Sequence, residues 1–173
     1  DAVYTAANSS DSYSLYVDAS YKLTDRLEIG GGVRYFHDEQ AQFLSVAEAG
    51  DFESVDPRGY VSFAVAPDVN IYASVSKGFR SGGFNGFGLP NYQPETLINY
   101  EIGAKGALND GRFTFDVAAY KSDYSDMLRR GLVFIPATAA FVSLTSNIGS
   151  VEVQGFEAAF SWRATDNLTL RAT

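Results

Sequence analysis

The chain of 173 residues has no cysteine, one histidine, one methionine and one tryptophan. Without cysteine there is no disulfide framework and no thiolate metal site, and a lone His37 argues against a histidine metal cluster or a histidine-based triad. Basic residues are also scarce. Thirteen Lys and Arg against 21 Asp and Glu leave a net charge of -8, the opposite of what a phosphate backbone demands, so nucleic acid is excluded as a partner. No stretch approaches the ~18 consecutive apolar residues of a membrane helix, so any membrane role has to be carried by strands. The opening DAVYTAANSS has neither the basic start nor the apolar core of a leader, so an export signal is expected outside this sequence.

What the chain does have is aromatic side chains, eleven Tyr and thirteen Phe, which favour strands over helices. Tyr13 to Leu23 alternates strictly, with Tyr13, Leu15, Val17, Ala19, Tyr21 and Leu23 on one face and Ser14, Tyr16, Asp18, Ser20 and Lys22 on the other. Thr24, Asp25 and Arg26 make a tight turn, and Leu27 to Phe36 returns, completing a hairpin. After His37, through about Val55, the sequence is polar and is expected to be a long, mostly irregular loop. The unit then recurs. Arg58 to Val65 and Ile71 to Arg80 flank Pro67 and Asp68, and a second long loop runs from Ser81 to about Glu95. Ile98 to Leu108 and the strand from Phe113 flank Asn109, Asp110 and Gly111. A third loop is expected between Arg129 and Phe141, with Pro136 as a strand breaker. The strand carrying Phe156, Ala158, Phe160 and Trp162 turns at Thr165, Asp166 and Asn167 into Leu168 to Thr173.

About eight strands joined by alternating short turns and long loops are the pattern of an up-and-down antiparallel membrane barrel, short on the periplasmic side and long outside. A soluble β-sandwich shares the strand period but not the alternation of connections. Height gives a second criterion. A tilted strand climbs ~2.5 Å per residue, so a lipid band about 25 Å tall ends about ten residues above each short turn. The first strongly polar residues on the apolar parity are His37, Lys77, Lys121 and Gln154, each about that far up. Lys77 and Lys121 are therefore expected at the upper membrane interface and Trp162 at the lower one, with Tyr13, Tyr35, Phe79 and Tyr100 bracketing the band above and Tyr21 and Phe113 below. On the opposite face Gly30, Gly32, Ala64, Gly103, Ala118 and Ala159 leave room for neighbouring side chains or a plug.

Other strings carry less. Gly30, Gly31 and Gly32 lie within a strand and do not form a phosphate loop, His37, Asp38 and Glu39 read as a solvated loop start, and the many serines lack a histidine base. No catalytic residue, metal ligand or cofactor is expected.

SKGFRSGGFN (76–85), PETLINYEIGAK (94–105), NIGSVEVQGFEA (147–158) and TDNLTL (165–170) resemble, in order, successive segments of the C-terminal half of TonB-dependent outer-membrane receptors. The resemblance implies an outer-membrane receptor barrel that imports iron-siderophore complexes or another large scarce nutrient, with a plug domain and energy delivered by the TonB complex. It also implies a fragment, because the plug, the TonB box and the terminal aromatic strand have no counterpart in residues 1–173.

On that reading the nutrient, an anionic aromatic-rich metal chelate, would meet Arg80, Phe84, Phe87 and Tyr92 in the second loop and Arg129 and Arg130 at the third. Tyr16, Asp18, Arg34, Tyr72, Glu101, Lys105, Asp116, Glu157 and Arg163 would line the lumen or meet the plug, and Lys105 and Asp116, diagonal across their hairpin, are expected to pair. Two alternatives stay open at the level of sequence. One is a complete eight-stranded outer-membrane barrel acting as an adhesin, structural protein or enzyme; the other is a soluble β-sandwich binding module.

Overall fold

A strand whose two faces differ in polarity needs two different surroundings, and the fold shows how this chain provides them. A computed structural model describes residues 7–43, 46–86, 88–136 and 139–173. It contains strands β1 (Ala7–Lys22), β2 (Leu27–Phe43), β3 (Ala47–Ala66), β4 (Val69–Arg80), β5 (Glu95–Leu108), β6 (Phe113–Ser125), β7 (Leu128–Ile135), β8 (Ala140–Asn147), β9 (Val151–Thr165) and β10 (Leu168–Ala172). Eight of them form one antiparallel sheet in the order β1-β2-β3-β4-β5-β6-β9-β10, while β7 and β8 form a hairpin of their own. Among the described residues no ladder joins β1 to β10, so the sheet has two edges and is not a closed eight-stranded barrel. Nor is there a second large sheet for its apolar face to pack on, which removes the sandwich reading.

Among the described residues there is no hydrophobic core. Leu128 is the one buried apolar side chain among the described residues, whereas Asp38, Ser54, Asp56 and Ser122 are buried. The apolar row points outward: Leu15, Val17, Val33, Val61, Val75, Ile102, Phe156 and Trp162 are all exposed. Burial of apolar area, the usual driving term at about 25 cal/mol per Å², is therefore not available within the chain itself. The backbone ladders hold the strands, and an apolar solvent has to cover the outer row.

The four short turns lie at one end. Thr24 Oγ1 accepts hydrogen bonds from the Arg26 and Leu27 amides at 3.2 and 3.0 Å and so closes the first. Asn109, Asp110 and Gly111 take φ of 53°, 54° and 78°, the left-handed region that these three residue types tolerate best.

Two features differ from the sequence expectation, and a third lies beyond it. The polar stretch after His37 is not irregular: β2 and β3 stay paired in unbroken register up to Phe43↔Ala47, and β1 accompanies them from Ala7. Above the lipid band the covered face carries polar side chains such as Asp38, Gln40 and Gln42 while the other face is exposed, so the apolar-polar alternation disappears although backbone pairing continues. The third loop is likewise ordered, as the β7–β8 hairpin with Pro136 at its tip. Finally, β3 and β4 part above Arg58↔Ser76, while each continues upward on its other neighbour. Pro57 explains the parting. The Ala64 amide bonds the Arg26 carbonyl, so even-numbered residues of β3 face β2 and odd-numbered ones face β4. The next donor owed to β4 would be residue 57, and proline has none.

An arginine in the outer row meets hydrocarbon. Val61→Arg in the full-length protein reconstituted in lipid is expected to lower unfolding stability by about 2–4 kcal/mol, read as a shift of the denaturant midpoint at unchanged slope.

Candidate functional site

The inner face is built from polar side chains stationed by the register. Asp18 and Arg58 form an ion pair, with Arg58 Nε 2.6 Å from Asp18 Oδ2. Asp56, buried, accepts from Arg34 Nη2 at 2.8 Å and from the Ser54 hydroxyl at 2.6 Å. Lys77 joins the same group, donating to Ser54 Oγ at 3.0 Å and to the Val55 carbonyl at 2.9 Å, with Asp56 3.7 Å away. Its ammonium thus fills the gap left by Pro57 and satisfies an orphaned carbonyl, at a residue whose height on the strand is expected to put it at the upper membrane interface. Phe79 turns the same way and packs on Phe36, with ring centroids 5.9 Å apart.

Lower on the inner face one local device repeats. Each of Gly30, Gly103 and Gly155 lies directly across from a tyrosine, Tyr60, Tyr72 and Tyr120 respectively, whose ring covers it so closely that a Cβ would strike the ring. Two of the rings then donate to a glutamate two residues before the glycine: Tyr60 to Glu28 and Tyr72 to Glu101, both at 2.8 Å. Glu28-Ile29-Gly30 and Glu101-Ile102-Gly103 are the same tripeptide, a repeat that sequence reasoning could have picked up. Lys105 stands over the Tyr72 ring, 5.7 Å from its centroid. It is directly opposite Asp116, not diagonal to it, and no ion pair joins the two. Tyr72, Glu101, Asp116 and Glu157 come together around an inner-face cleft of about 640 Å³. Tyr16, Glu157 and Arg163 make no side-chain hydrogen bond or ion pair among the described residues.

Above the band the extended β1–β2–β3 sheet meets the β4–β5 connection, residues 81–94. Asp38, on β2, is buried and accepts from Ser10 Oγ at 2.7 Å and Gln40 Nε2 at 2.6 Å. Burial alone would raise its pKa, but the hydrogen bonds from Gln40, Ser10 and Ser81 prevail and hold the carboxyl below its ordinary range. Phe84 lies against Gly50, and Tyr92 pairs with Gly83 in an isolated bridge beside Gln40. On its other side the connection meets the β7–β8 hairpin. The Asn85 carboxamide donates to the Thr145 carbonyl at 2.8 Å and accepts from the Thr145 amide at 2.7 Å. The Asn147 carboxamide accepts from the Gln93 amide at 2.8 Å and donates to the Gln93 carbonyl at 2.9 Å. Glu95 accepts from the Leu128 amide.

Of the loop candidates, Phe84 and Tyr92 share a cleft of about 310 Å³ with Asn8, Ser10, Gln40 and Gln42. Arg80 and Arg129 are exposed without an ion pair among the described residues, and Arg130 donates to Ser143 Oγ at 2.7 Å. Phe87 lies outside the described residues. On the outer face Lys121 sits between Glu152, at 2.9 Å, and Asp123, at 3.4 Å, a polar collar above the apolar row. Trp162 is half exposed next to Phe113, its cross-strand partner. Asp38, Asp56, Asn85, Glu95 and Asn147 were not expected. Nothing in their spacing announces them, since each acts across strands or loops.

The profile of the family described as "TonB dependent receptor-like, beta-barrel" matches residues 2–173. The chain belongs to the TonB-dependent receptor β-barrel family. It is 28% identical over 174 residues to the pesticin receptor of Yersinia pestis, covering 92% of this chain and 24% of that protein. Against the metal-pseudopaline receptor CntO of Pseudomonas aeruginosa it is 29% identical over 114 residues, 66% of this chain and 15% of that one. Among solved structures, the ferric yersiniabactin uptake receptor FyuA of Yersinia pestis superposes with a TM-score of 0.77 at 22% identity, over 96% of this chain and 26% of the other. The alcaligin outer membrane receptor FauA of Bordetella pertussis does so with 0.72 at 16%, over 94% and 29%. The chain spans about a quarter of the length of these relatives. As a TonB-dependent receptor barrel it resides in the bacterial outer membrane, which supplies the apolar solvent its outer row requires.

Two outcomes are expected of variants in the full-length receptor. Gly30→Ala displaces the Tyr60 ring from Glu28 and costs on the order of 1 kcal/mol in denaturant unfolding, and the cost is smaller when measured in a Tyr60→Phe background, where no hydroxyl bond is left to lose. Asp38, with its lowered folded pKa, contributes stability that is complete above the unfolded carboxylate value near 3.8 and is lost as pH falls through the lower folded value. Hydrogen exchange of the β1–β2–β3 extension is therefore expected to quicken at that acid end, with the step absent in Asp38→Asn.

Proposed function

We propose that the chain is part of the barrel of an outer-membrane active transporter that imports a metal chelate or a comparably large, scarce nutrient. The observation that carries this is the family match from residue 2 to residue 173, over a sheet that superposes on a receptor described as taking up ferric yersiniabactin. On this reading residues 1–173 are a partial barrel domain. The plug and the contact with the TonB complex belong to parts of the receptor outside this segment, and the inner face, with Tyr16, Asp18, Arg34, Tyr72, Glu101, Lys105, Asp116, Glu157 and Arg163, is where a plug would rest.

The rim above the band would meet the nutrient. Among the described residues Arg80 and Arg129 offer guanidinium groups without a carboxylate partner, Arg130 a third cation that donates to a hydroxyl, and Tyr92 and Phe84 aromatic surface. That combination suits an anionic, aromatic-bearing chelate. Lys121 and Trp162 mark the upper and lower edges of the lipid band, by the polar collar around the one and the aromatic neighbours of the other. The family is one of receptors and transporters, and no catalytic role is assigned to any residue.

The test is uptake. A strain lacking the full-length gene is expected to lose growth on one class of chelated metal, to regain it with the gene restored, and to fail again when TonB is deleted. Retained uptake of every chelate tried, or uptake indifferent to TonB, would sink the proposal. Arg129→Ala combined with Arg80→Ala is expected to weaken binding of an anionic chelate by roughly tenfold or more without changing receptor abundance.

A further inference from the structure

The β7–β8 hairpin presents two outer edges, and its register dictates where they need partners. The Ile148 amide bonds the Met127 carbonyl, so the pairs Leu128↔Asn147 and Arg130↔Thr145 are those whose amides and carbonyls point away from the partner strand. At two of these four, Thr145 and Leu128, residues 85–95 supply a group. Asn85 meets both main-chain groups of Thr145, and Glu95 meets the Leu128 amide. The hairpin reciprocates: Asn147, from the end of β8, meets both main-chain groups of Gln93 and also donates to the Asp126 carbonyl at 2.8 Å. A carboxamide carries one acceptor and a donor in the geometry of a peptide unit, so each asparagine takes the place of a missing ladder partner. Asn85 in turn donates to the Pro90 carbonyl at 2.6 Å, tying its own loop across. The same loop is held on its far side by Phe84 against Gly50 and by the Gly83–Tyr92 bridge beside Gln40.

We propose that Asn85 and Asn147 form a reciprocal clasp that makes the two connections, residues 81–94 and the β7–β8 hairpin, a single cooperative unit of the outer rim. The two asparagines are positioning residues. They fix Arg129 and Arg130, on one connection, relative to Phe84 and Tyr92, on the other, although 60 residues of sequence separate Asn85 from Thr145. The inference rests on geometry alone and does not depend on what the receptor imports.

Crossed hydrogen exchange on the full-length receptor in lipid tests it. Asn85→Ala does not touch the bond between the Gln93 amide and Asn147, yet it is expected to speed exchange at Gln93 by roughly tenfold. Asn147→Ala is likewise expected to speed exchange at Thr145 by a similar factor. Exchange in the β4–β5 ladder below the rim should stay as in the parent. Asn85→Asp keeps the acceptor for the Thr145 amide and loses the donors, so it should fall between the parent and the alanine variant, and it carries the test if the alanine variant does not assemble. If each substitution exposes only its own direct partner, the clasp is two independent contacts and the proposal is overturned.

Discussion

Everything in this structure depends on a backbone ladder that has to stand without a hydrophobic core beneath it. Among the described residues the buried side chains are Asp38, Ser54, Asp56, Ser122 and Leu128, one apolar against four polar, and the large apolar residues point outward. In water such a sheet would have no driving term for its own folding. In a bilayer the same arrangement is the stable one, since between the two edge strands the ladders bond the main-chain groups across strands and the outer row meets acyl chains. The interior is then free to be polar, and the ion pairs Asp18–Arg58 and Arg34–Asp56 occupy it.

Where the ladder is interrupted, side chains complete it. Pro57 removes one donor between β3 and β4, the strands part, and Lys77 enters the gap to bond the Val55 carbonyl. At the rim, Asn85, Asn147 and Glu95 do the same for the exposed edges of the β7–β8 hairpin. Glycine across from tyrosine is the complementary device inside the sheet, leaving space for a ring whose hydroxyl reaches a glutamate on the strand it covers. These are three answers to one requirement, that no main-chain or side-chain polar group be left without a partner away from water.

The sheet and the connections above it are ordered in different ways. Here the wall is continuous from β1 to β10, and the rim is assembled from an ordered extension of β1, β2 and β3, a short strap, and a hairpin clasped to it. The cations on the hairpin and the aromatics on the strap come from different connections. What joins the two connections is the contact of Asn85 with Thr145 and of Asn147 with Gln93, and no single segment holds it.

The strands, their faces and the alternation of short turns with long connections were legible in the sequence, because a lipid face imposes a period of two that nothing else erases. Lys121 and Gln154, read as the end of the lipid band on separate strands, are direct partners in the sheet. That legibility stopped where lipid stopped. The paired extension up to Phe43↔Ala47 and the β7–β8 hairpin carry no strict apolar-polar alternation, since the face of the extension that residues 81–94 cover is itself polar, with Asp38 and Gln40 on it, and the hairpin is held through its edges. The inward turn of Lys77, the opposition of Lys105 to Asp116 without a bond, and the clasp of Asn85 and Asn147 belong to the tertiary structure alone. Each depends on which backbone group is left unpaired once the strands are in register, and local sequence does not encode that vacancy.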